Sequence, residues 1–122
     1  MTNITEHFIK GSDNVITLTL EEDDVAITGS WSALNIHFCN PADPETAILT
    51  ITRASSSNGI ALSSGVLTIR PRALSETLTD LIAGRLYRIF VKVTDATTNT
   101  VGAYFGEEDS TERLYFLVTD PP

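Results

Sequence analysis

Residues 85–95 read RLYRIFVKVTD, and this stretch decides the fold. Its apolar residues Tyr87, Ile89, Val91 and Val93 stand at every second position, which places them on one face of an extended chain. A helix would instead bring together residues that lie three or four positions apart. The stretch therefore predicts a long strand with one buried face.

Shorter segments on both sides of this strand share its period of two and are separated by turn residues. Pro41 and Pro44 should end the strand before them, because proline cannot donate to a ladder. The acidic run Glu21–Asp24 predicts a turn, since no core could accept it. The predicted core consists of Ile16, Leu18, Ile36, Phe38, Leu49, Leu67, Ile69, Tyr87, Ile89, Val91 and Phe116.

One segment alone has helical spacing. Leu74, Leu78, Leu81 and Ile82 predict a short helix from Leu74 to Ile82, with Gly84 as its C-terminal stop. A parallel α/β sheet would need several such crossovers. The sequence therefore predicts an all-β fold in one domain, residues 1–122: an antiparallel Ig-like β-sandwich of about seven strands with one short helix.

Charge and composition narrow the classes of partner. The chain has 122 residues and a formal net charge of -8, and its basic residues form no stripe. Nucleic-acid binding by phosphate contacts is therefore not expected, and neither is attraction to an anionic membrane. The first residues show no secretory signal, and no apolar run is long enough to span a bilayer.

Residues capable of catalysis or metal binding are few and scattered. Cys39 is the only cysteine, and His7 and His37 have too few potential ligands nearby for a zinc site. His37 and Cys39 share a strand face, which is ordinary for alternate residues. The acidic runs Glu21–Asp24 and Glu107–Asp109 are interpreted as solvated turns, and calcium binding there stays open. We expect no enzyme, no cofactor and no bound metal.

Four segments of the chain carry a family resemblance: FIKGSDNVITLTL, AITGSWSALNIHF, LIAGRLYRIFVKVTD and RLYFLVTDPP. Together they resemble Ig-like domains of tailed-phage virion proteins, with the N-terminal domain of baseplate upper proteins as the nearest relative. The resemblance implies a structural protein made in the host bacterial cytoplasm and assembled into the virion. It would dock on the capsid as decoration or cement, or on the neck, tail or baseplate. Its partners would be other virion proteins and copies of itself.

An alternative is a carbohydrate- or receptor-binding adhesion module. Trp31, Tyr104 and Tyr115 would then stack on sugars. A glycan binder usually presents several aromatic side chains on one surface. Only 7% of this chain is aromatic, and several of those residues belong to the predicted core, so the structural role is favoured.

The outward residues of three strands predict a protein–protein interface. In an Ig-like arrangement the third strand, the long strand and the last strand are neighbours in one sheet. Their outward residues would together form an apolar patch that a lone soluble domain would rarely expose. The predicted interface residues are Phe90, Tyr115, Leu117, Cys39, His37 and Leu86.

Overall fold

The computed structural model describes residues 2–12, 14–22, 25–26, 31–96, 101–105 and 112–120. Strands account for most of them, and the helical content is one short 3₁₀ turn, Pro71–Ala73, and one α-helical turn, α1 (Thr77–Asp80). The strands are β1 (Thr2–Ile9), β2 (Ile16–Thr19), β3 (Glu21–Glu22), β4 (Val25–Ala26), β5 (Trp31–Asn40), β6 (Asp43–Arg53), β7 (Ile60–Ser63), β8 (Val66–Ile69), β9 (Arg85–Asp95), β10 (Val101–Phe105) and β11 (Glu112–Thr119).

The strands form a large sheet and a small sheet. The large sheet has the order β1-β11-β9-β5-β6, and every pair in it is antiparallel except β1 with β11. The small sheet has the antiparallel order β2-β8-β7, and β3 and β4 form a separate ribbon. The neighbours β5, β9 and β11 in one sheet and β2, β8 and β7 in the other confirm the antiparallel Ig-like sandwich.

Two strands share the position beside β9 on the side away from β5. β10 pairs with the second half of β9, from Val91 to Thr94, and β11 pairs with the first half, from Arg85 to Ile89. Both strands run antiparallel to β9 and pair with successive parts of it, one after the other. β10 ends at Phe105 and β11 begins at Glu112.

The core between the sheets confirms the period-two interpretation. Every predicted core residue is buried except Leu49, which is only partly buried because β6 lies at the edge of its sheet. An aromatic cluster lies at the centre: Phe8 stacks on Phe116 at 5.6 Å between ring centroids, and Phe38 meets Phe8 edge-on at 5.9 Å. Tyr87 meets Phe38 at 6.5 Å. Such offset and edge-on pairs add to the stabilisation from buried area.

Tyr87 also ties the start of β9 to the chain before it. Its hydroxyl accepts a hydrogen bond from the Ile82 backbone N–H at 2.9 Å. A tyrosine near the start of this strand that bonds to the backbone a few residues upstream is the tyrosine corner of Ig-like sandwiches. Tyr87, three positions after Gly84, thus has a structural role in the fold.

The helix prediction was too long. Leu74 and Leu81 are buried as expected, at 0% and 2% exposure, but only α1 between them is helical. Leu81 adopts an extended conformation, which turns its side chain into the core and ends α1 early, and Ile82 is exposed. A single helical turn is enough to place both leucines in the core, because Leu74 precedes α1 and Leu81 follows it.

Two boundary predictions also need correction. β5 ends at Asn40, before Pro41 as predicted, but Pro44 lies inside β6. An edge strand tolerates proline, since the missing N–H can face away from the ladder. Glu21 and Glu22, predicted as part of a turn, form β3. Asp23 and Asp24 of the first acidic run, the whole run Glu107–Asp109, and the side chains of Leu78 and Tyr104 lie outside the described residues.

An ion pair links Arg53, the last residue of β6, to Glu76, the residue before α1. Arg53 donates to both carboxylate oxygens of Glu76, at 2.8 and 3.2 Å, and also to the backbone carbonyls of Thr52 and Asn58. These hydrogen bonds from Arg53 hold the pKa of the Glu76 carboxyl below its usual range. The four hydrogen bonds of the Arg53 guanidinium therefore connect the end of β6, the loop 54–59 and the start of α1.

Candidate docking face

The sheet register brings the predicted interface residues onto the face of the large sheet that points away from the small sheet. Leu117 on β11 lies opposite Leu86 on β9, and Phe90 on β9 lies opposite His37 on β5. Tyr115 lies between these rows, opposite Arg88. We call this surface the outer patch and define it by Leu86, Arg88, Phe90, Tyr115, Leu117 and His37.

The outer patch is partly open to solvent. Leu86 and Leu117 are 40% and 37% exposed, while Phe90, Tyr115 and His37 are half-buried. Neighbouring large apolar side chains on one face are unusual for a surface that stays in water. Because these side chains stand on paired strands, their positions are held by the backbone ladder.

Arg88 lies at the centre of the outer patch, against Phe90. Its guanidinium carbon lies 4.9 Å from the centroid of the Phe90 ring, and the whole residue is only 9% exposed. A cation over an aromatic face at this distance is attracted by the ring quadrupole. The Arg88 guanidinium therefore covers part of the Phe90 ring. Sequence reasoning gave Arg88 no role, although its place two positions from both Leu86 and Phe90 puts it on their face.

Cys39 behaves differently from the prediction. By register it lies on the outer face, opposite Arg88 and Ala47, but it is 2% exposed and cannot itself contact a partner. Its side chain lies between Ala47 on β6 and the larger Arg88 on β9. Burial raises the pKa of the Cys39 thiol, and the nearby Arg88 charge opposes this rise. The thiol is therefore a poor thiolate source.

His37 is held by its neighbour on β6. Its Nδ1 lies 2.9 Å from the hydroxyl of Thr50, which lies directly opposite in the ladder. Burial lowers the pKa of His37, and the Lys92 charge lowers it further. The neutral ring is favoured, so His37 and Cys39 do not form an ion pair.

A bulge in β6 adds an apolar residue beside the outer patch. Phe38 pairs with Leu49 whereas Cys39 pairs with Ala47, so Ile48 is an extra residue in β6. Ile48 is 46% exposed. It lines a notch of 230 Å³ at the end of β5, together with Leu86, Arg85, Asn40 and Tyr87. Strand alternation could not reveal Ile48, because a bulge shifts the faces locally.

The distance between Trp31 and Tyr115 disfavours a carbohydrate-binding surface on which both aromatic rings stack on one sugar. Trp31 pairs with Asp95 and packs partly buried against the core, whereas Tyr115 pairs with Arg88. These two partners lie seven positions apart on β9, which is about 23 Å along a strand. A single sugar ring cannot stack on both.

The residues that the structure describes contain neither a cluster of metal ligands nor a long apolar helix. No group of three or more His, Cys, Asp or Glu side chains in those ranges could hold a metal ion. His7 instead lies beside Thr119, with 2.8 Å between its Nε2 and the hydroxyl oxygen. Within the same ranges, no helix has the length and apolar character needed to cross a membrane.

In comparison with known proteins, no protein-family model matches the chain, and no match to it was found among curated proteins.

Proposed function

We propose that this chain is a structural, non-enzymatic protein of a tailed-phage virion, and that it docks on other virion proteins through the outer patch. The observation that carries the docking role is the cluster of half-exposed apolar side chains around the Arg88–Phe90 stack. The virion assignment rests on the resemblance of its four sequence segments. The protein is expected on the capsid, neck, tail or baseplate.

The chemistry of the outer patch suits a protein partner. Aromatic residues and arginine are enriched at the energetic centres of protein interfaces, and Phe90, Tyr115 and Arg88 supply both kinds. Burying the exposed parts of Leu86 and Leu117 would contribute about 1 kcal/mol each. Arg88 is already buried against Phe90, so we expect docking to cost less side-chain entropy than it would at a fully exposed arginine.

The test replaces apolar residues of the outer patch by charges. Particles are grown with an epitope-tagged copy of the chain, either wild type or Phe90→Asp with Leu117→Asp, and its occupancy is measured by quantitative mass spectrometry. We expect the double variant to be lost from purified particles, because two carboxylates would be buried without partners. Thr17→Asp, on the exposed side of β2, is the matched control and should assemble normally.

Circular dichroism and thermal unfolding of the purified variants separate docking from folding. The double variant should keep the strand spectrum of the wild type, since both changed side chains lie outside the core. Wild-type occupancy of the double variant on particles would refute the docking role of the outer patch. Absence of the wild-type chain from all particles would refute the virion assignment.

A further inference from the structure

Two cations on β9 border the outer patch. Lys92 stands two positions after Phe90, so the alternation of the strand places it on the same face, and it is half-buried. Arg85 is exposed at the start of β9 and lines the notch beside Leu86. Neither Lys92 nor Arg85 makes an ion pair with any residue that the structure describes. Both charges are therefore available to a partner.

Acidic side chains are absent from the described rows of this face between Leu86 and Lys92. The residues of β5 and β11 that lie opposite β9 in these rows are Asn35, His37, Cys39, Tyr115 and Leu117. Acidic residues stand instead at the ends of the strands, with Asp43 and Glu45 at the start of β6 and Asp95 at the end of β9. Although the net charge of the chain is -8, the outer patch is thus a basic and apolar surface.

The charges that act on two titratable groups of this face are mainly positive. Burial lowers the pKa of His37, and the Lys92 charge lowers it further. Burial raises the pKa of the Cys39 thiol, and three charges also act on this thiol. The Arg88 charge has the largest effect of the three and lowers the pKa, as the Lys92 charge does, whereas the Asp43 charge raises it. The basic residues therefore outweigh the acidic one at the centre of this face.

Salt screening separates this face from the acids on the rest of the chain. At physiological ionic strength the Debye length is about 8 Å, whereas two packed sheets are about 10 Å apart. Charges on the outside of the small sheet are therefore largely screened at the outer patch. A partner that docks there interacts with Lys92 and Arg85 at short range rather than with the net charge of -8.

We propose that the outer patch docks on a protein surface on which carboxylates flank apolar side chains. This inference rests on the proposed function and gives the chemistry of the partner. The partner's apolar side chains pack on Phe90 and Leu86, and its carboxylates pair with Lys92 and Arg85. These two cations lie seven positions apart on β9, which is about 23 Å along a strand. The partner must therefore be as broad as a protein surface, since a small anion cannot reach both cations.

Two other occupants fit these charges less well. A second copy that docked through the same face would bring two basic surfaces together, and each chain has a net charge of -8. A nucleic acid gains most of its affinity from many phosphate contacts, whereas the exposed cations described here border an apolar centre. Carboxylates around apolar side chains match both the cations and the apolar centre.

An NMR titration of the purified chain with N-benzoylglutamate tests this chemistry in the absence of any virion protein. The probe joins an aromatic ring to carboxylates, and we expect it to shift the amide signals of Phe90 and Lys92. Lys92→Glu should weaken binding about fivefold, because it turns the attraction of an exposed pair into a repulsion. Arg70→Glu is the matched control: it changes the net charge equally, at an exposed residue that follows β8 of the small sheet, and it should leave binding unchanged. The neutral diamide of the probe should bind the wild type more weakly.

Docking on particles tests the same residue against the natural partner. The occupancy of tagged Lys92→Glu on purified particles should fall, whereas Arg70→Glu should reach the wild-type level. Normal occupancy of Lys92→Glu, together with loss of the Phe90→Asp, Leu117→Asp variant, would refute the carboxylate partner and leave the proposed function intact. Binding of the probe without docking of the wild type on particles would refute the virion role and still support the carboxylate chemistry.

Other results with the purified chain would also overturn the inference. One is the absence of any shift at the outer patch with N-benzoylglutamate, and another is equal weakening by Lys92→Glu and Arg70→Glu. A DNA duplex that shifts the same signals at a lower concentration would show a polyphosphate partner instead. Sedimentation velocity tests self-docking: a wild-type dimer that the Phe90→Asp, Leu117→Asp variant cannot form would show that a second copy covers the outer patch.

Discussion

The Arg53–Glu76 contact should stabilise the fold in a manner that depends on pH. The side chain of Arg53 is 12% exposed and that of Glu76 is 36% exposed. Exposed ion pairs contribute up to about 1 kcal/mol, and buried hydrogen bonds to charged groups about 1.5–3 kcal/mol. This pair lies between the two cases. We therefore expect Glu76→Gln to lower the free energy of unfolding by about 1–2 kcal/mol at pH 7.

Arg53→Ala should cost more, about 2–3 kcal/mol, since it also removes the bonds to the carbonyls of Thr52 and Asn58. The double variant should cost less than the sum of the two single variants. The difference, about 1 kcal/mol, measures the coupling between the two side chains. Glu45→Gln changes an exposed carboxylate on the same strand and serves as the control.

The pH dependence follows from the lowered pKa of Glu76. A carboxyl whose pKa is lower in the folded state than in the unfolded chain stabilises the fold at pH values above the unfolded value, about 4.3. That stabilisation is lost as the pH falls through the lower folded value. The stability difference between wild type and Glu76→Gln should therefore be largest near pH 7 and shrink toward pH 3.

Urea unfolding at several pH values, followed by circular dichroism, measures these differences. A Glu76→Gln loss that is equal at pH 3 and pH 7 would show that the carboxylate charge contributes nothing. A loss at pH 7 no larger than that of Glu45→Gln would show that the contact does not stabilise the folded chain.

Three further predictions concern the core, the tyrosine corner and the cysteine. Ile89→Ala should lower the free energy of unfolding by about 2–5 kcal/mol, because it leaves a cavity at a fully buried position. Ile82→Ala, at a position that is 52% exposed, is the control and should lower it far less in the same urea titration. Tyr87→Phe should cost about 1–2 kcal/mol through the unpaired Ile82 N–H, and a thermal unfolding midpoint equal to that of the wild type would contradict this. Cys39 should react with a thiol reagent only after unfolding, because it is buried and the pKa of its thiol is raised. Rapid labelling of the native protein at pH 8 would refute this prediction.

The amino-acid sequence by itself determined which face of each strand is buried. Alternation is a local property of the chain, since side chains of successive residues point to opposite sides of any strand. For this reason the core residues around Tyr87 and Ile89 could be predicted without knowledge of the strand partners. The neighbouring positions of β5, β9 and β11 followed from the Ig-like arrangement, and with them the outer patch.

The tertiary structure decided which of the outward residues are accessible. Cys39 and Leu86 have the same alternation signal, yet Cys39 is covered by its neighbours and Leu86 is exposed. Ile48 joins the surface through a bulge that exists only in the pairing of β6 with β5. The partner of a side chain on an adjacent strand is set by register between distant segments, and register depends on how the whole sheet packs. Local alternation carries no information about that packing, so the accessible surface emerged only from the assembled sheets.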